Sequence, residues 1–503
     1  MRRVLLLLMI SCCALAQQTA PKRENLLAAA SSRYVRDGAD SPVLWRPWDA
    51  TTLADARRAG RPLFVSICYA ASYDCYRMQR ETFANAEIAE MLNTWFVPVL
   101  LDAIERPDLA ARFASTLPMH VVMTPSLEPF GSIGATTPGE ISRMLVIAAN
   151  RWASERKSIR AEVRSAAQVA PQQAPLDLRA LAVSPRHDFI GGGFHHGEKA
   201  REKLLVEQAR LALAYLDAWQ SAAPDDDYEY LVRDTLDYVV RDLRDPNTNA
   251  FEVSQDAASL VPLQGPELID GAFYAWTDEE LVDILGTDDA AKMRAFFARP
   301  RVADARGALA PLIAKLRDVR QKRPQPFRDF DALAGWNGLT ISALSRTGGV
   351  FGERRYLDAA TNAAASITKL WNGKSLARNA TGIPALEEDY ELLVTGLVDL
   401  FENGYDPRWL TLAHTIHDAH PTAANSARIA ALYGGNNVNV VVGDLRVKET
   451  QDALRALHAS KRTAVFLPAT GRVAMLHVLP YLGTIPADAR GAYLCNGGRC
   501  ERQ

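Results

Sequence analysis

Residues 61–102 read RPLFVSICYAASYDCYRMQRETFANAEIAEMLNTWFVPVLLD, and the fold of the first third of the chain turns on them. Pro62 to Ile67 reads as a buried strand, a turn follows, and a helix begins at about Ser72. A second apolar run from Phe96 to Leu101 predicts another buried strand. Beyond it come a short helix near Asp108 to Ser115, a strand from His120 to Thr124, and a helix opened by Pro138 that runs towards Val163. Strands alternating with helices in this order predict an α/β domain. The Ala, Gln and Pro content of AAQVAPQQAP (166–175) reads as a linker closing it.

After the linker, helical periodicity takes over. Leu204, Leu211, Tyr215 and Trp219 fall on one face, as do Val232, Leu236, Val239 and Leu243. The same holds for Leu357, Ala360, Ala364, Ile367 and Trp371, and for Tyr390, Val394, Leu397 and Phe401. Each is an amphipathic helix that needs a neighbour, and the Gly-, Asp- and Trp-rich loops between them favour a ring of helical hairpins over a simple four-helix bundle. Strand character returns in VNVVVGD (438–444) and TAVFLP (463–468), with the helix ETQDALRALHAS (449–460) between them.

A chain of 503 residues exceeds one compact core, so two or three units are expected. Its 57 Lys and Arg nearly balance its 59 Asp and Glu, which leaves no broad basic surface for phosphates and argues against a nucleic-acid partner. The N-terminus, MRRVLLLLMISCCALAQQ, has two arginines, an apolar run from Val4 to Ile10 and the small-x-small triplet Ala14-Leu15-Ala16. This pattern predicts a signal peptide over residues 1–16 and an exported, periplasmic or extracellular protein; a lipoprotein processed at Cys12 is the alternative. The run is shorter than the about 20 residues that span a bilayer, and no other stretch reads as a membrane span.

The mature chain keeps Cys68, Cys75, Cys495 and Cys500. Cys495 and Cys500 are disulfide candidates for an oxidising compartment, whereas a zinc site there would need two further ligands from far away. No metal or cofactor is expected. His414, His417 and His420 have no matching acid or cysteine and read as a solvated helix face, and the glycines at 191–193 lack the Lys-Ser/Thr of a phosphate loop. Thiol exchange needs a thiolate at a helix N-terminus and a resolving cysteine one turn later. Here those positions hold Ser72 and Cys75, so a dithiol cycle cannot run between them. Ser72 reads as a cap whose hydroxyl accepts from the amide of Cys75, and Cys75 as a small, partly buried apolar residue, with single-thiol redox chemistry as the alternative. Pairing of Cys68 with Cys75 is disfavoured if the helix starts undistorted.

NLLAAASSRYVRDGADSPVLWRPW (25–48), the 61–102 stretch and IERPDL (104–109) resemble the thioredoxin-like domain of the spermatogenesis-associated protein 20 family. The resemblance continues through IGGGFH (190–195), FYAWT (273–277), GWNGLTISALSR (335–346), EDYELLVTGLVDLFE (388–402), DPRWL (406–410) and AYLCNGGRC (492–500). It implies a multidomain protein: a thioredoxin-like α/β domain over 17–165, a linker over 166–177, an all-α (α/α)6-type toroid similar to six-hairpin glycosidases over 178–425, and a small α/β segment over 426–503. It also implies departures. Ser72, Cys75 and Tyr76 stand where the family carries Cys-x-x-Cys-His, while Leu117-Pro118 keeps the place of the cis-proline facing a thioredoxin site. SQDAAS (254–259), AREK (200–203) and Asp331 mark similar erosion in the helical part.

What the resemblance implies for chemistry is a sugar. Sugar chemistry asks for paired carboxylates, or an acid and a base, together with aromatic faces. The matched segments supply Asp389, Glu388, Asp256 and His195 as catalytic candidates and Asp188, Trp276, Trp336, Asn337 and Tyr390 as substrate-binding candidates. Glu388, Asp389 and Tyr390 read equally as an acidic first helical turn, and the two tryptophans as core. The expected function is therefore binding or modification of a carbohydrate in the toroid. The alternatives are a non-catalytic interaction protein, taking a protein partner through its thioredoxin-like domain, and single-thiol chemistry at Cys75.

Overall fold

The computed structural model describes residues 27–28, 30–114, 116–156, 158–159, 176–221 and 225–503. The expected signal peptide, Cys12 and most of the expected linker lie outside them. The chain divides into two compact units, Met1–Ile67 with Glu81–Ser165, and Cys68–Arg80 with Ala166–Gln503.

In the first unit, β1 (Arg46–Pro47), β2 (Leu63–Cys68), β3 (Val97–Asp102), β4 (Met119–Met123) and β5 (Pro129–Ile133) form one sheet in the order β1-β3-β2-β4-β5. β1 is parallel to β3, and β4 is antiparallel to both β2 and β5. Every residue of β2, β3 and β4 is buried, which is why these strands are mainly apolar, with Ser66, Asp102 and His120 the buried polar exceptions. The helices Ala86–Trp95 and Pro138–Ser154 pack on one another. The first is capped by Asn85, whose side chain accepts from the amides of Glu87 and Ile88. The second opens with a Thr137–Glu140 capping box and runs to Ser154; Glu155 interrupts it, helical residues recur at Arg156, Ser158 and Ile159, and the expected end near Val163 lies outside the described residues. Leu117-Pro118 is cis. This is the thioredoxin-like domain expected. At its core the His120 ring stacks on Phe64 at 5.8 Å and meets Phe83 edge-on at 5.4 Å.

Two readings of residues 68–77 are corrected. Ser72 does occupy the cap position of the helix Tyr73–Arg77, but its hydroxyl makes no capping hydrogen bond. Cys68 and Cys75, read as disfavoured partners, have paired sulfurs and Cα atoms 6.1 Å apart. That separation falls inside the bridging range of about 4.4–6.8 Å. The premise of an undistorted helix fails, because only five residues are α-helical before the chain widens into a π-helical turn at Met78–Thr82.

The second unit is built of helical hairpins of the expected (α/α) type. Leu205–Ser221 pairs with Asp226–Asp242, Ala334–Phe351 with Arg354–Ile367, and Glu387–Gly404 with Pro407–Ala419. The first helices of the three hairpins also pack side by side, with Ala334–Phe351 in the middle and almost wholly buried. It lies so close to Glu387–Gly404 that a Cβ on Gly338 would strike the backbone of Leu392 and Leu393, and one on Gly396 the backbone of Gly338. Short strands link the hairpins: β6 (Lys203–Leu204), β7 (Ser254–Gln255), the hairpin of β8 (Ala258–Leu260) with β9 (Leu268–Asp270), and β10 (Arg328–Asp329).

The chain ends in a sheet of β11 (Val438–Gly443), β12 (Ala464–Pro468), β13 (Gly491–Asn496) and β14 (Arg499–Arg502), ordered β12-β11-β13-β14. Cys495 stands directly opposite Cys500 across the β13–β14 ladder, and their sulfurs are paired. Of the three histidines of the 414–420 region, read as a solvated face, His420 is exposed and His414 partly so, and only His417 departs from that reading. His417 is buried with Nε2 3.2 Å from the Ser426 hydroxyl, and His420 stacks on Tyr390 at 4.1 Å.

Candidate functional site

The stretch HDFIGGGFH (187–195) folds back on the carboxylate of Asp188. Oδ1 accepts from the amides of Ile190 (3.2 Å) and Gly191 (3.0 Å) and from Arg320 Nη1 (3.0 Å). Oδ2 accepts from Arg320 Nη2 and Lys203 Nζ, both at 2.7 Å. Lys203 donates also to the Gly192 carbonyl at 2.7 Å and sits 4.2 Å from the centre of the Tyr238 ring. Burial would raise the Asp188 pKa, but the Arg320 and Lys203 charges prevail and hold it well below the usual carboxylate range.

The three glycines serve this turn. A Cβ on Gly191 would strike the Arg320 guanidinium, and Gly192 and Gly193 adopt φ of 85° and 71°. The Gly191 amide is spent on Asp188 and that of Gly193 on Asp234 Oδ2 at 3.2 Å, so this loop presents carboxylate-bound amides where a phosphate loop would present free ones.

Beside the cluster lies a cavity of about 680 Å³ whose walls include Asp188, His195, Arg201, Asp270, Tyr274 and Trp276. His195 Nδ1 is 2.6 Å from the carbonyl oxygen of Arg201. A carbonyl only accepts, so Nδ1 carries the proton and Nε2 is the acceptor the ring keeps for a ligand. Burial, helped by the Lys203 charge, lowers the His195 pKa to about 3, and the imidazole is neutral. Tyr274 meets the His195 ring edge-on at 4.7 Å and donates its hydroxyl to the Asp256 carbonyl at 3.1 Å. The Arg323 guanidinium covers one face of Trp276 at 4.0 Å. Burial and the Asp74 charge raise the pKa of Asp270.

Three residues singled out in the sequence, Asp188, His195 and Trp276, meet at this cavity, and Asp256 supports it through its backbone. The others do not line it. Asn337 is wholly buried, accepting from the Phe251 amide (2.8 Å) and donating to the carbonyls of Phe251 (2.9 Å) and Leu333 (3.1 Å). Trp336 is buried at the start of its helix. Glu388 is exposed and pairs with Arg210 at 2.9 Å. Asp389 is buried against Arg378 at 2.5 Å and accepts from the amides of Gly335 (3.2 Å) and Leu386 (2.9 Å). The Tyr390 hydroxyl accepts from the Leu376 amide at 2.9 Å. These groups tie loops to helix starts. Lys203, Arg320 and Tyr274 were missed. Tyr274 stands inside the FYAWT match, two residues before Trp276, whereas nothing local marks Arg320 as the partner of Asp188, 132 residues earlier.

Residues 24–170 match the thioredoxin family of DsbH type described as "Protein of unknown function, DUF255". The chain is 25% identical to spermatogenesis-associated protein 20 of Homo sapiens, over 80% of this chain and 70% of that protein. The Rattus norvegicus protein of the same name is 24% identical, over 79% of this chain and 69% of its own length. The resemblance carried by the motifs therefore holds across four fifths of the chain. Among solved structures, cellobiose 2-epimerase from Spirochaeta thermophila DSM 6192 is similar at 12% identity and a TM-score of 0.31, covering 52% of each chain. A D-mannose isomerase is similar at 13% identity and a TM-score of 0.23, covering 48% of this chain and 66% of that one.

Proposed function

We propose that this chain, similar to spermatogenesis-associated protein 20, is an exported carbohydrate-binding protein whose ligand sits in the cavity of His195 and Trp276. The observation that carries the reading is the fixed tautomer of His195, which offers one unprotonated nitrogen, Nε2, to a hydroxyl donor in a cavity with an indole wall. Asp270 and Arg201 add an acceptor and a donor to the same walls. A base suited to neutral pH has a pKa near 7, and His195, at about 3, is too weak for that work. The site thus favours recognition of a sugar over proton abstraction from it.

Export is supported by the cysteines: all four of the mature chain stand in two pairs, as an oxidising compartment favours. With Ser72 at the attacking position and Cys75 bonded to Cys68, the thioredoxin-like domain serves in this reading without a dithiol cycle.

The test is a panel of neutral mono- and oligosaccharides against the purified mature protein, read by thermal shift and by NMR of the sugar. A binder should lose about tenfold or more in affinity in His195→Gln and Trp276→Leu, with no turnover of the sugar. Turnover would replace the binding reading with an enzyme. Silence across the panel would leave the interaction protein, with a protein partner in place of a sugar.

A further inference from the structure

A second cavity, of about 520 Å³, lies within the second unit, between the first helices of the three hairpins and a wall of Arg428, His458 and residues 461–463. The candidate site above uses none of its residues. Asp399 and Glu402 stand three apart on Glu387–Gly404 and share a face. Arg428 donates to both, from Nη2 to Asp399 Oδ1 at 2.6 Å and from Nε to Glu402 Oε1 at 3.2 Å, and the Ser342 hydroxyl donates to Asp399 Oδ2. On the facing wall, Arg346 Nη2 donates to Asp217 at 2.5 Å and to Gln220 at 3.0 Å. The exposed Lys461 and Arg462 stand at the rim, where Lys461 Nζ lies 3.3 Å from the same Asp217 carboxylate and donates to the Ser221 hydroxyl at 3.1 Å.

The chemistry of these walls restricts what fits. Two buried carboxylates, Asp399 and Glu402, and the half-buried Asp217, Arg346 and Arg428 alternate with a hydroxyl and an amide, a set that trades hydrogen bonds with a polyol. Four cations (Arg346, Arg428, Lys461, Arg462) face three carboxylates (Asp217, Asp399, Glu402), a surplus of one positive charge. Burial pushes the Glu402 pKa up, against the lowering charge of Arg428. A neutral sugar would leave that charge unused, and a compact dianion such as phosphate would meet the buried Asp399 carboxylate. No Trp, Tyr or Phe is among the residues that line the cavity, so a stacked oligosaccharide ring has no platform.

We propose that this second cavity binds a small polyhydroxylated monocarboxylate of the sugar-acid class. Its hydroxyls face Asp399, Glu402 and Ser342, and its carboxylate faces Arg346 with Lys461 and Arg462. The site is independent of the His195 cavity, and either can fail without the other.

The experiment is calorimetric titration of the full mature chain with D-glucuronate, with D-glucose and inorganic phosphate run alongside. D-glucuronate should bind, and each of Arg462→Glu and Arg346→Gln should weaken it about tenfold. Arg462 is exposed, so that variant keeps the fold, and Arg346→Gln is read only with an unchanged unfolding midpoint. His195→Gln should leave the affinity for D-glucuronate where it was. The proposal is overturned by absence of D-glucuronate binding, by equal affinity for D-glucose or phosphate, by an Arg462→Glu protein that binds as the parent does, or by loss of binding in His195→Gln.

Discussion

Arg320 meets Asp188 fork to fork, Nη1 3.0 Å from Oδ1 and Nη2 2.7 Å from Oδ2, with both side chains buried. Lys203 adds a second buried cation to the same carboxylate, so Asp188 compensates two charges at once. Asp188→Asn would strand both, and removal of one partner from a buried pair costs about 3–5 kcal/mol. Arg320→Met should cost less, because Lys203 still neutralises the carboxylate. Urea unfolding compares the two variants, and an Asp188→Asn protein as stable as the parent would refute the assignment.

Asp389 is predicted to act on stability and not on ligand affinity. Its carboxylate holds the buried Arg378 and two backbone amides, Gly335 and Leu386. Asp389→Asn should lower the unfolding free energy by about 3 kcal/mol or more, while the molecules that remain folded bind ligand as before. A parent-like midpoint with lost binding would return Asp389 to the binding site.

The cysteines predict a silent thiol assay. Cys68 and Cys75 are both buried as well as paired, and Cys495 and Cys500 are paired across their hairpin. The native mature protein should give no adduct with a disulfide probe, and Cys75→Ala should create a reactive thiol only on denaturation, at Cys68. Labelling of native Cys75 would revive single-thiol chemistry.

His120 predicts how acid acts on the first unit. Its two ring nitrogens are buried without hydrogen-bond partners, and burial lowers its pKa from 6.5 to about 3. Between those values the unfolded chain takes up a proton that the folded one refuses. The stabilisation is therefore complete above pH 6.5 and is lost as pH falls towards 3, by about 1.4 kcal/mol per pH unit for this one group. His120→Phe, which keeps a ring against Phe64 and Phe83, should flatten that part of the stability profile in chemical denaturation. An unchanged slope would mean that His120 is protonated in the fold.

The elements were legible where one local pattern decides them. The apolar runs at 62–67 and 96–101 became β2 and β3, and the faces of Val232, Leu236, Val239 and Leu243 and of Val394, Leu397 and Phe401 are buried as their spacing implied. The site was legible only in part, because its bonds are long-range. Asp188 and His195 stood out beside the glycines, but Lys203 and Arg320 reach Asp188 from 15 and 132 residues away. Asn337 and Asp389 looked functional because they are polar residues in matched segments, and burial has turned that polarity to backbone bonds. Asp399 and Glu402 lay within the quoted 388–402 stretch, where the acidic first turn drew the attention. Ser72 is the right residue type for a cap, yet the five-residue helix after it leaves its hydroxyl unused for capping.

The glycine contact between Ala334–Phe351 and Glu387–Gly404 has a mechanical consequence. At Gly338 and Gly396 main chain rests on main chain, and no side chain stands between them to bend or change rotamer. The two helices pack there as one beam, which a side chain at either glycine would force apart. That beam carries the Asp389 anchorage near one end and Ser342, Asp399 and Glu402 further along. For the proposed sugar-acid site this makes the closely packed helices the fixed wall, and leaves adjustment to the exposed rim of Lys461 and Arg462.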